Sequence, residues 1–252
     1  MKETVATRWR RVRRRSAQAS GLLLMFALAG LTAACSGAPS EKELRRQATS
    51  PEAESRRAVE ERKVRALIAR LTAVEGLEHV LTRVTDSCAR PYNGSIFENN
   101  RSSYVLKCSM EAVAYFGLQG DIADVLPRIR AAGIAAWGSQ DGGGRDMVSY
   151  ALAYHRHHGR YPDGSLMPAP TLEAPGLRID WDRLGLPLPN RIEEPTLCAP
   201  ASSGDIYQRC SIAPKAPMSV AAARARYGTI VRFSLGGWGS SAQNYFTVPR
   251  RK

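Results

Sequence analysis

No stretch of this chain supplies the roughly 20 consecutive apolar residues that carry a helix across the hydrocarbon core of a membrane. Its oiliest run, "GLLLMFALAGLTAA" at residues 21–34, is too short. Motifs for several chemistries are also missing. There is no H-E-x-x-H pair and no C-x2-C knuckle, so the sequence offers no ready-made zinc site. The glycines of "QDGGGRD", residues 140–146, are followed by no Lys-Ser/Thr, which excludes a P-loop. There is no G-x-S-x-G elbow, and no serine can be tied by sequence to a histidine and a carboxylate. We therefore expect no metal and no cofactor.

Basic residues are plentiful. Lys and Arg number 36 against 23 Asp and Glu, for a formal net charge of +13. Such an excess first suggests nucleic acid. Seven basic residues (Lys2, Arg8, Arg10, Arg11, Arg13, Arg14 and Arg15) against Glu3 concentrate +6 of it in residues 1–34, leaving +7 for the remainder. Much of that remainder sits on Arg-rich helical segments laced with Glu, where i,i+4 pairs cancel it locally. No RRM, KH or zinc-finger signature accompanies the charge, so no nucleic-acid partner is expected.

The first 34 residues read as a signal peptide. A basic n-region, "MKETVATRWRRVRRRSAQAS", precedes the short apolar segment. Positive charge on that side keeps the N-terminal end in the cytoplasm. Leu31, Thr32, Ala33 and Ala34 lead directly into Cys35. Small residues just before a cysteine resemble the lipobox of bacterial lipoprotein precursors, with Thr32 standing where Leu is usual. That resemblance implies a diacylglycerol on the Cys35 thiol, cleavage before Cys35, and a mature chain held by membrane lipid at the extracytoplasmic face of the cell membrane. In general character, including its preference for Arg over Lys, the chain is similar to envelope lipoproteins of high-GC Gram-positive bacteria. An ordinary secretory signal would instead be cut near Ala34 or Ala38.

Five cysteines are present: Cys35, Cys88, Cys108, Cys198 and Cys210. An odd number in an exported protein leaves one thiol unpaired, and assigning Cys35 to lipid leaves four. Four cysteines allow three connectivities. Sequence-adjacent pairing, Cys88–Cys108 with Cys198–Cys210, is the simplest.

After the leader, residues 35–55 read as lipid anchor and flexible tether, being small and charged with no apolar face. Residues 56–252 read as one domain. Val64, Leu67, Ile68, Leu71, Val74, Leu77, Leu81 and Val84 recur at three- and four-residue steps, which predicts one long amphipathic helix with a weak point at Gly76. "YVLKCSMEAVAYFG" alternates as a half-buried strand, and "IAAWG" reads as a second, short one. Asp121 starts a helix that Gly133 stops, and Asp146 starts another that ends at Gly159. "LRIDWD" is a short strand, and Ser219 caps a brief helix ending before Gly228. "TIVRFSL" and "NYFTVPR" flank a Gly-rich turn and predict a C-terminal β-hairpin. Runs of helix and strand without strict alternation predict an α+β fold, with a mostly antiparallel sheet packed against the long N-terminal helix and further helices.

Five residues outside the cysteines are candidate ligand contacts. His155 and His158 fall on one helix face, although cations at a helix C-terminus are the plainer reading. Asp180 and Asp182 share a strand face and could do paired-carboxylate chemistry on a glycoside, though surface aspartates on an edge strand are commoner. Trp238 sits at the tip of the expected hairpin, where it could touch a partner or a glycan. The expectation is a membrane-anchored protein that binds a cell-wall or protein partner. The alternative is an envelope hydrolase acting on cell-wall glycan or peptide through the His or Asp residues.

Overall fold

The computed structural model describes residues 39–91, 102–135, 146–198, 200–201, 204–236 and 244–250. Cys35, the leader, Trp238 and most of the 140–146 segment lie outside them.

From Glu41 on, the segment expected to be a tether is helical apart from a short turn. Helix α1 spans Glu41–Ala48, capped by the Ser40 hydroxyl, which accepts from the Glu43 amide. Leu44 and Ala48 are buried against the body of the protein. Helix α2, Pro51–Thr72, follows at once, with Ser50 as its N-cap and Pro51 in its first turn. Pairs such as Arg56–Glu52 and Arg65–Glu61 lie along its solvent side.

The predicted long helix stops at Thr72, and the second half of its apolar stripe belongs to strand β1, Leu77–Ala89. Gly76 makes the break. Its φ is +92°, and a Cβ there would stand 2.7 Å from a Val125 methyl carbon. The helix-like spacing within β1 has its own cause. A register shift between His79 and Leu81 lets Val80 and Leu81 face the opposite side of the sheet from Leu77 and Val84. A bulge thus mimics a three-to-four-residue period.

Strand β2, Tyr104–Leu118, is the longest strand and the spine of a seven-stranded sheet. It pairs along its length with β1. Helices α3, Ile122–Ala131, and α4, Met147–Arg156, come next, capped by Asp121 and Asp146 as expected. The expected strand at 134–138 is not seen at Ile134 and Ala135, and its other residues lie outside the described ones. Strands β3, Leu172–Ala174, and β4, Leu177–Trp181, form a hairpin. Strand β5, Asp205–Ala213, pairs with β1. Helix α5, Val220–Tyr227, ends at Gly228, and strand β6, Thr229–Leu235, and strand β7, Asn244–Pro249, complete the fold.

β6 and β7 do not form the expected hairpin. β6 pairs with Ala112–Leu118 of β2, and β7 pairs with the Tyr104–Ser109 part of the same strand. They lie end to end along one edge of β2. Local alternation gave both strands, but their partner is set by the apolar face of β2. Every strand pairing is antiparallel, and the path through the sheet is β3-β4-β6-β2-β1-β5. The α+β expectation therefore holds.

Both faces of the sheet carry a core. On one, Leu106, Met110, Ala112, Phe116 and Phe233 pack with residues of α1 through α4. On the other, Leu81, Tyr115 and Ile230 pack with Val220 and Ala223 of α5 and with Ile192. The two disulfides have the simplest connectivity, Cys88–Cys108 and Cys198–Cys210. Cys88 and Cys108 are register partners on β1 and β2, so this bridge joins strand to strand rather than helix to strand.

Candidate functional site

Antiparallel pairing brings three chain segments to one end of the sheet. Leu118 at the end of β2 is paired with Thr229 at the start of β6, and Trp181 at the end of β4 is paired with Val231. The turn into α3 and the end of α4 close over this place. Between them is a cavity of about 360 Å³. Its walls include Asp121, His155, His158, Asp182 and Arg183. The histidines proposed from their i,i+3 spacing do share a site.

His155 Nε2 lies 3.1 Å from Asp121 Oδ1, which joins the end of α4 to the start of α3. The same Asp121 oxygen accepts from the Ala123 amide. His158 stands just past α4 with φ +50°, a left-handed conformation that His adopts more readily than most residues. Gly159 beside it, also at positive φ, donates its amide to the Tyr154 carbonyl and ends the helix as its sequence position predicts.

Asp182 lines the cavity but is committed to the fold. Its Oδ1 accepts from the Ile192 amide at 2.7 Å, and its Oδ2 accepts from the Ile230 amide at 3.0 Å. Arg224 of α5 grips both oxygens, through Nε at 2.8 Å and Nη2 at 3.2 Å, and also donates to the Ile192 carbonyl. Four donors on two oxygens leave no lone pair in a useful direction for a substrate. Asp180 shares the strand face, as expected, but does not line the cavity. Its Oδ2 accepts from Arg232 at 2.7 Å and lies 3.2 Å from Arg178 Nε. The two aspartates thus hold arginines and are not presented as an acid–base pair.

Arg183 had no periodic or motif signal in the sequence, and only the structure brings it to the site. Its guanidinium lies 5.2 Å from the Trp181 ring centroid. Its Nε and Nη1 are buried and have no hydrogen-bond partner among the described residues. Burial pushes its pKa below the ordinary arginine value, and nearby Tyr154 and Asp180 only partly offset this. Asp121 was read from sequence as a helix cap alone. Its second role needed the tertiary contact with His155.

A second buried polar cluster lies under α2. Arg57 Nε is 2.6 Å from Asp86 Oδ2, and the Tyr245 hydroxyl donates to Asp86 Oδ1 at 2.5 Å. Arg57 also donates to the Ala48 carbonyl of α1 and lies over the Tyr207 ring. Burial, with the bond to Asp86, raises the Tyr245 hydroxyl above the tyrosine range. This cluster fixes α1 and α2 to the sheet and opens onto no described cavity.

Among the described residues, no group of three His, Cys, Asp or Glu side chains is placed to hold a metal ion. In comparisons with known proteins, no family model, curated protein or solved structure matches this chain.

Proposed function

We propose that the chain is a cell-envelope lipoprotein, exported by residues 1–34, acylated at Cys35, and held at the extracytoplasmic face of the cell membrane, where its folded part works by binding. The observation that carries this reading is the partition of cysteines. Two disulfides use four of the five. Cys35 is left over, directly behind Leu31-Thr32-Ala33-Ala34. Disulfides persist in oxidising compartments, which favours export. Helix α1, capped by Ser40, begins close behind, so the spacer in this reading is residues 36–39 rather than twenty residues.

Binding is favoured over hydrolysis because the carboxylates that a glycosidase would need are held by arginines. Asp182 is saturated by four donors, and Asp180 sits between Arg178 and Arg232. Among the described residues no helix is long and apolar enough to cross a membrane, and attachment in this reading is the lipid on Cys35.

Metabolic labelling with a clickable fatty acid tests the anchor. The wild type takes up label and Cys35→Ala does not; equal labelling of the two removes the lipid claim. Turnover of cell-wall fragments by the purified protein, lost in His155→Ala, would replace binding with hydrolysis.

A further inference from the structure

We propose that the cavity bounded by Asp121, His155, His158 and Arg183 binds a small oxyanion, a carboxylate or phosphate group carried on a compact polar molecule. This gives the binding reading a site and a ligand class, and it rests on that reading for its biological setting.

The carboxylates in the cavity wall already have partners. Asp182 is neutralised by Arg224, and Asp121 is engaged by His155 and the Ala123 amide. Arg178 and Arg232, on the neighbouring strands, are matched to Asp180. Arg183 lies within ion-pair distance of no carboxylate among the described residues, although it is partly buried and two of its nitrogens lack acceptors. A guanidinium remains charged under all ordinary conditions. Its desolvation is a standing cost to the fold, and negative charge in the cavity offsets that cost by attraction, without contact with the two sealed nitrogens.

The geometry suits an oxygen anion. A guanidinium attracts the oxygens of a carboxylate or phosphate, here through Nη2, since Nε and Nη1 are sealed. Contact with Trp181 orients the guanidinium plane. The start of α3 at Asp121 and Ile122 faces the same space, with the amides of Ala123, Asp124 and Val125 taken up by Asp121. The end of α4 likewise has its last carbonyls occupied. Those of Ala153, Tyr154 and His155 accept from the amides of His157, Gly159 and His158. Imidazoles of His155 and His158 add donors in the wall. A volume of about 360 Å³ is enough to admit a small molecule.

The test is calorimetric titration of the full chain, purified in detergent with its disulfides intact. Inorganic phosphate and succinate are titrated separately in low-salt buffer, where screening is weak. One-site, saturable binding of at least one anion is expected, and which one binds identifies the group. Arg183→Gln should weaken it by about tenfold or more, and Arg183→Lys by less, because charge survives without the Nη2 donor. His158→Asn tolerates the left-handed backbone and should also weaken binding, which keeps the test open if Arg183→Gln does not fold. No saturable binding of either anion up to about 20 mM would overturn the proposal, that concentration being well above millimolar affinity. So would a folded Arg183→Gln that binds like the wild type. Cys35→Ala should bind as the wild type does, so failure of the lipid claim and failure of the anion claim are read separately.

Discussion

Asp182 joins parts of the chain that are far apart in sequence: the residue after β4, the 192 segment, the start of β6, and α5 through Arg224. Asp182→Asn keeps the shape, removes the charge and turns an amide N–H toward a site filled with donors. Losing one member of a buried ion pair strands the other, at about 3–5 kcal/mol. Urea unfolding should show a lower midpoint at unchanged slope, and a loss under about 1 kcal/mol would contradict the role given to Asp182. His79 predicts a pH effect. Its Nε2 lies 2.8 Å from the Thr82 hydroxyl and its ring meets Phe116 edge-on, and burial pushes its pKa below the ordinary histidine value. The unfolded chain therefore takes up this proton first, so the contribution of His79 is complete above about pH 6.5 and declines as pH falls below it. Glu111, whose carboxyl desolvation pushes up, acts in the opposite sense. The difference between wild type and His79→Gln isolates the imidazole: melting temperature should fall less steeply from pH 7 to 5.5 in the variant. Parallel curves would refute this. At this scale the sequence flagged His155 and His158 by i,i+3 spacing, and both line the cavity, although His158 lies past the end of α4 and not on its face. It was silent on Arg183, whose importance comes from the absence of a partner, which only tertiary placement reveals.

The two elements read least well had local signals that pointed elsewhere. Helix α1 lies in a polar segment whose composition suggested a tether. The Ser40-x-x-Glu43 capping box and the single buried Leu44 were the contrary signal. Leu44→Ala should cost about 2–4 kcal/mol, as for other fully buried leucines, measured by chemical denaturation. A tether residue would give a change near zero. In β1 the bulge at Val80 and Leu81 placed apolar residues at helical intervals, and Gly76 was the one mark of the true boundary. Among the elements predicted correctly, α3, α4, α5 and β2 have an N-cap and a stop residue or a clean alternation. Their local preference and tertiary environment agree.

Across the whole molecule, element order pointed to the α+β class, and cysteine parity left four cysteines to pair, which they do in the simplest of three possible ways. The sheet order had no such signal. Pairing across more than a hundred residues depends on which apolar faces meet, and no local pattern encodes that. The spine strand β2 serves both cores, with even-numbered residues such as Leu106 and Phe116 toward α1–α4 and Tyr115 toward α5. The placement of β6 and β7 along it has a consequence for assembly in time. Synthesis delivers a chain N-terminus first. β1 and β2 arrive together, but the second edge of β2 waits for residues 229–249, more than a hundred positions later. Closing contacts at such separation is slow, and an unpaired strand edge is open to wrong partners meanwhile. Residues 104–118 therefore spend most of the chain's delivery half-paired, and the last strand to arrive decides when this protein is safe from its own middle.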